Sequence, residues 1–391
     1  MRRIATIAAA GSLLVTAALP ATTSAAATTA KLKVRVVAAG LNAPKQLTFA
    51  NGGVYVAESG TGGPVGPANC VTGQSVGGAG LTKYCEGHTG AIAFITATHR
   101  KVILGGLPSV VEEDSGEVSG PSAVAFGPNG AAVSYQDLLL NSDGSNGLTG
   151  AARSVFGTIR LSSGRVTRIA RYDAVHPQRK FSLGTAPGEL AYDSDPYDVV
   201  AYRGGYVVAD AAANALLRVS AAGRVSLLAR FPTKTETVRA GVFGPTPVTM
   251  TAQAVPTSVA VGPDGAFYVG LLRGVPCNPG TAAIYRVVPG HGATVWARGL
   301  TAVTAIAFDG RGRLLATELS TGGLLAPPSV PGALVRIGRN GKTVTTLPVP
   351  GLVAPTGVAV GAGGTVYVSN YGTSTRASKT PGEILQITGL G

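Results

Sequence analysis

The stretch VPTSVAVGPDGAFYVG, Val255 to Gly270, decides the fold. It reads as an apolar strand, a Pro-Asp-Gly turn and a second apolar strand. The chain says nearly the same thing again at APTGVAVGAGGTVYVS, Ala354 to Ser369. A phrase used twice invites a search for further copies. They are PKQLTFANGGVYVAE from Pro44, PSAVAFGPNGAAVSYQ from Pro121, PYDVVAYRGGYVVAD from Pro196 and VTAIAFDGRGRLLATE from Val303. With the copies that begin at Pro256 and Pro355, the phrase occurs six times.

Each copy continues into a third run with strand character, such as LLRVS at Leu216, IYRVV at Ile284 and LVRIG at Leu334. Five copies add a fourth run; the sixth stops at Gly391 without one. The segment LKVRVVAAGL, Leu32 to Leu41, precedes the first copy and resembles those fourth runs. Six units of four strands, one strand supplied by the far end of the chain, make a closed ring. The expected fold is therefore all-β: a six-bladed β-propeller whose N-terminal strand completes the last blade. Closure leaves no exposed strand edge at the seam. Gly130, Gly265, Gly312 and Gly364 stand at the first turns, where a tight hairpin asks for positive φ.

The rest of the composition agrees. Of 391 residues 45% are hydrophobic and only 13% charged, so a large core can be buried; 56 Gly and 25 Pro favour turns over long helices. Residues 1–26 have Arg2 and Arg3, an apolar run from Ile4 to Leu19 and small residues up to Ala26. That is the pattern of a cleaved secretory signal. The run is too short and too diluted by Ala, Gly and Thr for a membrane span. Residues 27–31 read as a linker and 32–391 as one propeller domain. The expected location is extracytoplasmic, with a monomeric mature chain. The net charge of +13 is spread without any Lys/Arg run longer than two, and no nucleic-acid motif accompanies it. Adhesion to an anionic surface is the role such a charge allows.

Export permits disulfides. Cys70 and Cys85 share one loop-like stretch and are the expected pair; Cys277 is left over. No metal-type Cys/His spacing, GxSxG, phosphate loop or HExxH is present. Of four histidines, His88 and His176 fall in long connections. EEDSGE (Glu112–Glu117) and NSDGSNG (Asn141–Gly147) are oxygen-rich but lack EF-hand spacing, and read as solvated loops.

Connections that enter the first strand and leave the second share one face, and here these are the long ones. Long connections carry function more often than tight turns. The residues that end the second strands on that face are Glu58, Gln136, Asp210, Leu271, Glu318 and Asn370, five of them polar. Asp195 and Asp198 stand where the third innermost strand begins. Such a ring has two readings. It gathers a hydroxylated ligand or a calcium ion, or each side chain ties down its own loop.

The blade from Ala252 to Thr301 and the segment SDPYDVVAYRGGYVVADAAANALLRVSAAGRV from Ser194 resemble the ScyD/ScyE family of secreted propellers, relatives of NHL-repeat proteins. The likeness spans nearly all of the mature chain. It implies a six-bladed propeller outside the cytoplasm and brings no catalytic residues with it. The elaborated face reads as that of a binding or interaction module for an extracellular small molecule, polysaccharide or protein. The alternative is a calcium-assisted hydrolase, lactonase or lyase that uses the loop-rich face.

Overall fold

The computed structural model describes residues 32–66, 68–74, 81–128, 130–136, 148, 150–169, 194–373 and 380–391. The signal segment, His176 and the run Asn141–Gly147 lie outside the described residues.

Strand β1 (Lys33–Leu41) leaves the N-terminal side and is used last. The first blade is β2 (Pro44–Ala50), β3 (Gly53–Glu58), β5 (Leu81–Ile95) and β6 (Arg100–Glu112), with two short additions, β4 (Cys70–Gln74) and β7 (Val118–Ser119). The second is β8 (Pro121–Gly127), β9 (Gly130–Tyr135), β10 (Thr158–Leu161) and β11 (Val166–Arg168); helix α1 (Gly150–Val155) precedes β10. The third is β12 (Pro196–Tyr202), β13 (Gly205–Asp210), β14 (Ala215–Val219) and β15 (Val225–Arg230). A separate hairpin, β16 (Lys234–Val238) and β17 (Val248–Ala252), leads to the fourth: β18 (Pro256–Val261), β19 (Phe267–Leu271), β20 (Ala282–Val288) and β21 (Gly292–Leu300). The fifth is β22 (Val303–Phe308), β23 (Leu314–Glu318), β24 (Ala333–Ile337) and β25 (Val344–Thr346). The sixth is β26 (Gly357–Val360), β27 (Val366–Asn370) and β28 (Gly382–Thr388), and β1 pairs antiparallel with β28 as its outer strand. The six-bladed ring expected from the repeats is the architecture observed.

The core is built between blades. Val207, Leu216, Phe231, Phe267, Val269 and Tyr285 fill the interface of blades three and four. Tyr268, Ile284, Leu314 and Val335 fill the next one. Comparable clusters occupy the other four interfaces. This explains the near-continuous apolar character of the second and third strands: both of their faces are covered by neighbouring blades. At the first turns Gly130, Gly265, Gly312 and Gly364 take φ of 99°, 75°, 72° and 77°, as a tight hairpin requires.

Blade one departs from the plain repeat. β5 and β6 run on beyond the blade, to 15 and 13 residues, and rise above the loop-rich face. Cys70 and Cys85 are joined there and pair across β4 and β5. The extension corrects the reading of EEDSGE as a solvated loop. Asp114 and Ser115 are exposed, but Glu112 is buried and takes hydrogen bonds from the Tyr84 hydroxyl and Ser115. Cys277 is a buried free thiol, pushed up to about 12 by burial, which makes it a weak nucleophile. No helix among the described residues is long and apolar enough to cross a membrane.

Candidate binding site at the channel mouth

The polar residues that end the second strands are all close to fully buried. Four of them use their oxygens on the connection that leads into their own blade. Glu58 Oε2 accepts from the Asn42 backbone N–H at 2.9 Å, and its carboxylate is paired with Arg100. Asp210 accepts from the Ser194 hydroxyl (2.6 Å) and from the N–H groups of Asp195 and Ala213. Glu318 accepts from Thr301 N–H at 2.8 Å. Asn370 accepts from Val353 N–H and donates to Gly351 O and Glu383.

These bonds meet a repeated backbone demand. Ala43, Ala302 and Ala354, each just before the first strand of a blade, sit at positive φ of 49°, 45° and 43°. The turn exposes an N–H that needs an acceptor, and the strand-ending side chain supplies it. Blade four has Leu271 at the ring position and Val255 at φ 51°. There the acceptor comes from the preceding blade: Asn214 Oδ1 binds the N–H groups of both Ala254 and Val255. Asn214 was not singled out from the sequence, because it lies in a different repeat column. Gln136 is buried and its Oε1 has no partner.

Asp195 and Asp198 stand at the start of β12 on the same face. Asp198 is buried between blades, where it accepts from Val199 N–H and Val259 N–H, both at 2.8 Å. Burial raises its pKa to about 7 against the pull of those two bonds. The Asp210 carboxyl is raised to about 6 for the same reason, and Glu318 is also raised by burial. Asp195, Asp198 and Asp210 are brought to one blade; Glu58, Glu318 and Asn370 stay with theirs. Among the described residues no group of three His, Cys, Asp or Glu is placed to hold a metal ion.

A second column, not read from the sequence, is more informative. The residues that follow the openings of the six repeats (Pro44, Pro121, Pro196, Pro256, Val303 and Pro355) are Lys45, Ser122, Tyr197, Thr257, Thr304 and Thr356. The four small hydroxyls each donate to the carbonyl of the first residue in the next blade. Ser122 bonds Pro196 O, Thr257 bonds Val303 O, Thr304 bonds Pro355 O and Thr356 bonds Pro44 O, at 2.6–2.9 Å. Ser59 does this job for blade one by binding Pro121 O. Lys45 and Tyr197 interrupt the pattern. Below them Gln46 reaches across the ring, and its amide donates to Thr257 O and Thr304 O. The channel is thus bridged, and the space above the bridge is a mouth rather than a pore.

At that mouth Lys45 is buried, and burial lowers its pKa. Glu117 and Asp195 are close enough to counter part of that effect. Glu117 is half-buried, and burial raises its pKa against the pull of Lys45. Tyr197 is half-buried; burial and then the charges of Asp195, Glu117 and Asp198 hold its hydroxyl protonated. The amine of Lys45, the phenol of Tyr197 and the carboxyl groups of Glu117 and Asp195 therefore share a desolvated spot on the loop-rich face. They come from blade one, its β6–β8 connection and blade three, so no local motif could announce them. The signal in the sequence was the odd pair in an otherwise hydroxyl-bearing column.

No family model matches the sequence, and no curated protein does. Solved structures of similar shape exist at low identity. A streptogramin B lyase is 13% identical, with 92% of this chain and 98% of that one covered and a TM-score of 0.46. A virginiamycin B lyase from Staphylococcus aureus is 14% identical, with 92% and 99% covered and a TM-score of 0.46. A glucose dehydrogenase is 14% identical, with 91% and 99% covered and a TM-score of 0.43. Likenesses this distant say nothing about the activity of the present chain.

Proposed function

We propose that the protein is a secreted propeller of the ScyD/ScyE type that binds a hydroxyl-rich extracellular ligand, such as the end of a polysaccharide, at the channel mouth. The observation that carries this reading is the Lys45, Tyr197, Glu117 and Asp195 cluster above the Gln46 bridge. Sugar hydroxyls both donate and accept, and the cluster offers amine and phenol donors, carboxyl oxygens as acceptors and an aromatic face. The ring of strand-ending residues supports a binding module over a calcium-assisted hydrolase, lactonase or lyase. Its oxygens are engaged by backbone N–H groups of their own loops. A calcium site asks for six to eight oxygens that converge.

The test is a panel of soluble neutral and uronate-bearing oligosaccharides, screened on an array and then titrated by calorimetry. The expected result is saturable binding to at least one of them. Tyr197→Phe and Lys45→Met should each weaken it tenfold or more without a change in fold. If the panel shows no binding, or if the variants bind as well as the parent, the mouth is not the site.

A further inference from the structure

The side chains that fasten the loop-rich face share a task from which blade two has released its own. The task is to accept the backbone N–H two positions before the opening of a repeat. Asn42 N–H goes to Glu58, Thr301 N–H to Glu318 and Val353 N–H to Asn370. Ala254 N–H, at the same place in blade four, goes to Asn214. In blade three that place holds Ser194, whose hydroxyl donates to Asp210 Oδ2 at 2.6 Å.

In blade two the place is held by Ser119, and the acceptor would be Gln136. Strand β7 changes the pairing. Glu112 N–H donates to Glu117 O at 2.9 Å, and two rungs further along the same ladder Ser119 lies opposite Val110. Bonded and non-bonded pairs alternate in an antiparallel ladder, so Ser119 N–H points to β6 rather than to Gln136. Gln136 Oε1 is left over, and so is Ser119 Oγ. Among the described residues neither atom has a partner, although the two residues are only 2% and 1% exposed. Buried polar atoms are nearly always paired, so two orphans at one place ask for an explanation. Both are held firmly. Gly120 O accepts from Gln136 N–H at 3.2 Å, and a Cβ on Gly120 would overlap Ser59 O of blade one. Two residues upstream of Ser119 stands Glu117, the carboxyl that faces Lys45. The orphans therefore border the channel mouth.

We infer that Gln136 and Ser119 are specificity-determining contacts of that mouth, with Gln136 Oε1 accepting from a neutral O–H or N–H group of the ligand and Ser119 Oγ completing the contact. A carbonyl oxygen only accepts, whereas a hydroxyl does both; an anionic ligand group is repelled by the first. The inference rests on the mouth being the binding site proposed above, and adds which residues read the donors of the ligand.

The experiment is calorimetry of the propeller with two probes, accompanied by urea unfolding. Cellotriose offers hydroxyl donors; chitotriose adds acetamido N–H groups. Gln136→Leu should weaken at least one probe by about tenfold or more, and Ser119→Ala by about threefold or more. A loss with both probes assigns a hydroxyl donor, and a loss with chitotriose alone assigns the N–H. Neither variant should lower the urea midpoint, because an orphan atom has no bond to lose. Asn370→Leu, at the equivalent place with its bonds made, should lower it. The inference is overturned if Gln136→Leu binds both probes as the parent does; a Tyr197→Phe variant that still loses them would then keep the mouth as the site without Gln136. It is also overturned if Gln136→Leu lowers the midpoint as much as Asn370→Leu, because a structural role would account for that. If the parent binds neither probe the inference falls, while Tyr197-dependent binding of trigalacturonate would leave the mouth standing as a binding site.

Discussion

At the scale of single residues, the ring is locked by hydroxyls that pass from blade to blade. Thr356 is the informative one, because its bond to Pro44 O joins the last blade to the first across 312 positions of sequence. Thr356→Val keeps the shape and removes the donor. A buried carbonyl then loses its partner, at a cost of about 1–3 kcal/mol. Urea unfolding should show that loss, and Thr356→Ser should recover most of it. The positive φ of Val255 points the other way. A β-branched residue is strained there, and glycine is not. Val255→Gly should therefore leave stability unchanged or raise it by up to about 1 kcal/mol, whereas the same change at a regular strand position lowers it.

At the scale of elements, β1 carries closure. Its Leu41 is fully buried, in the cluster that joins blades six and one. Leu41→Ala should cost about 2–5 kcal/mol, the usual range for a large-to-small change in a packed core. Because β1 also covers the edge of β28, its loss should bring aggregation as well as lower stability; light scattering during thermal unfolding would record both. The closing strand was legible in the sequence because LKVRVVAAGL matches the fourth runs while the sixth copy lacks one. Glu117 was not legible as a mouth residue. It reaches Lys45 only because β6 overruns its blade, and a strand's length beyond the repeat is set by pairing with β5 and β7, not by a local pattern. Asn214 was hidden for a similar reason: it serves the blade after its own.

At the scale of the whole molecule, buried carboxyls tie stability to pH. Asp198 and Asp210 have native pKa values of about 7 and about 6, above the unfolded value near 3.9. Between these limits the native state holds more protons than the unfolded one, so stability falls as pH rises from about 4 to about 7. Chemical unfolding at intervals from pH 4 to 8 should show that decline. Asp198→Asn should flatten the part nearest neutrality while Asp210 preserves the lower part. Where six repeats agree, the sequence reads as architecture. The proposed ligand contacts lie where columns disagree, at Lys45 and Tyr197, and a disagreement gains meaning only when the ring brings those positions to one mouth.

We read the carboxylates that end the second strands as fasteners of their own loops rather than as ion ligands. Calcium calorimetry on the propeller, with a Glu58→Gln, Glu318→Gln variant beside it, tests this most directly. The predicted result is no saturable heat in the parent, with the variant less stable by about 1–3 kcal/mol because the charge-assisted bonds to the Asn42 and Thr301 N–H groups are weakened. Saturable calcium binding in the parent that disappears in the variant would contradict it and restore the ring as a metal site.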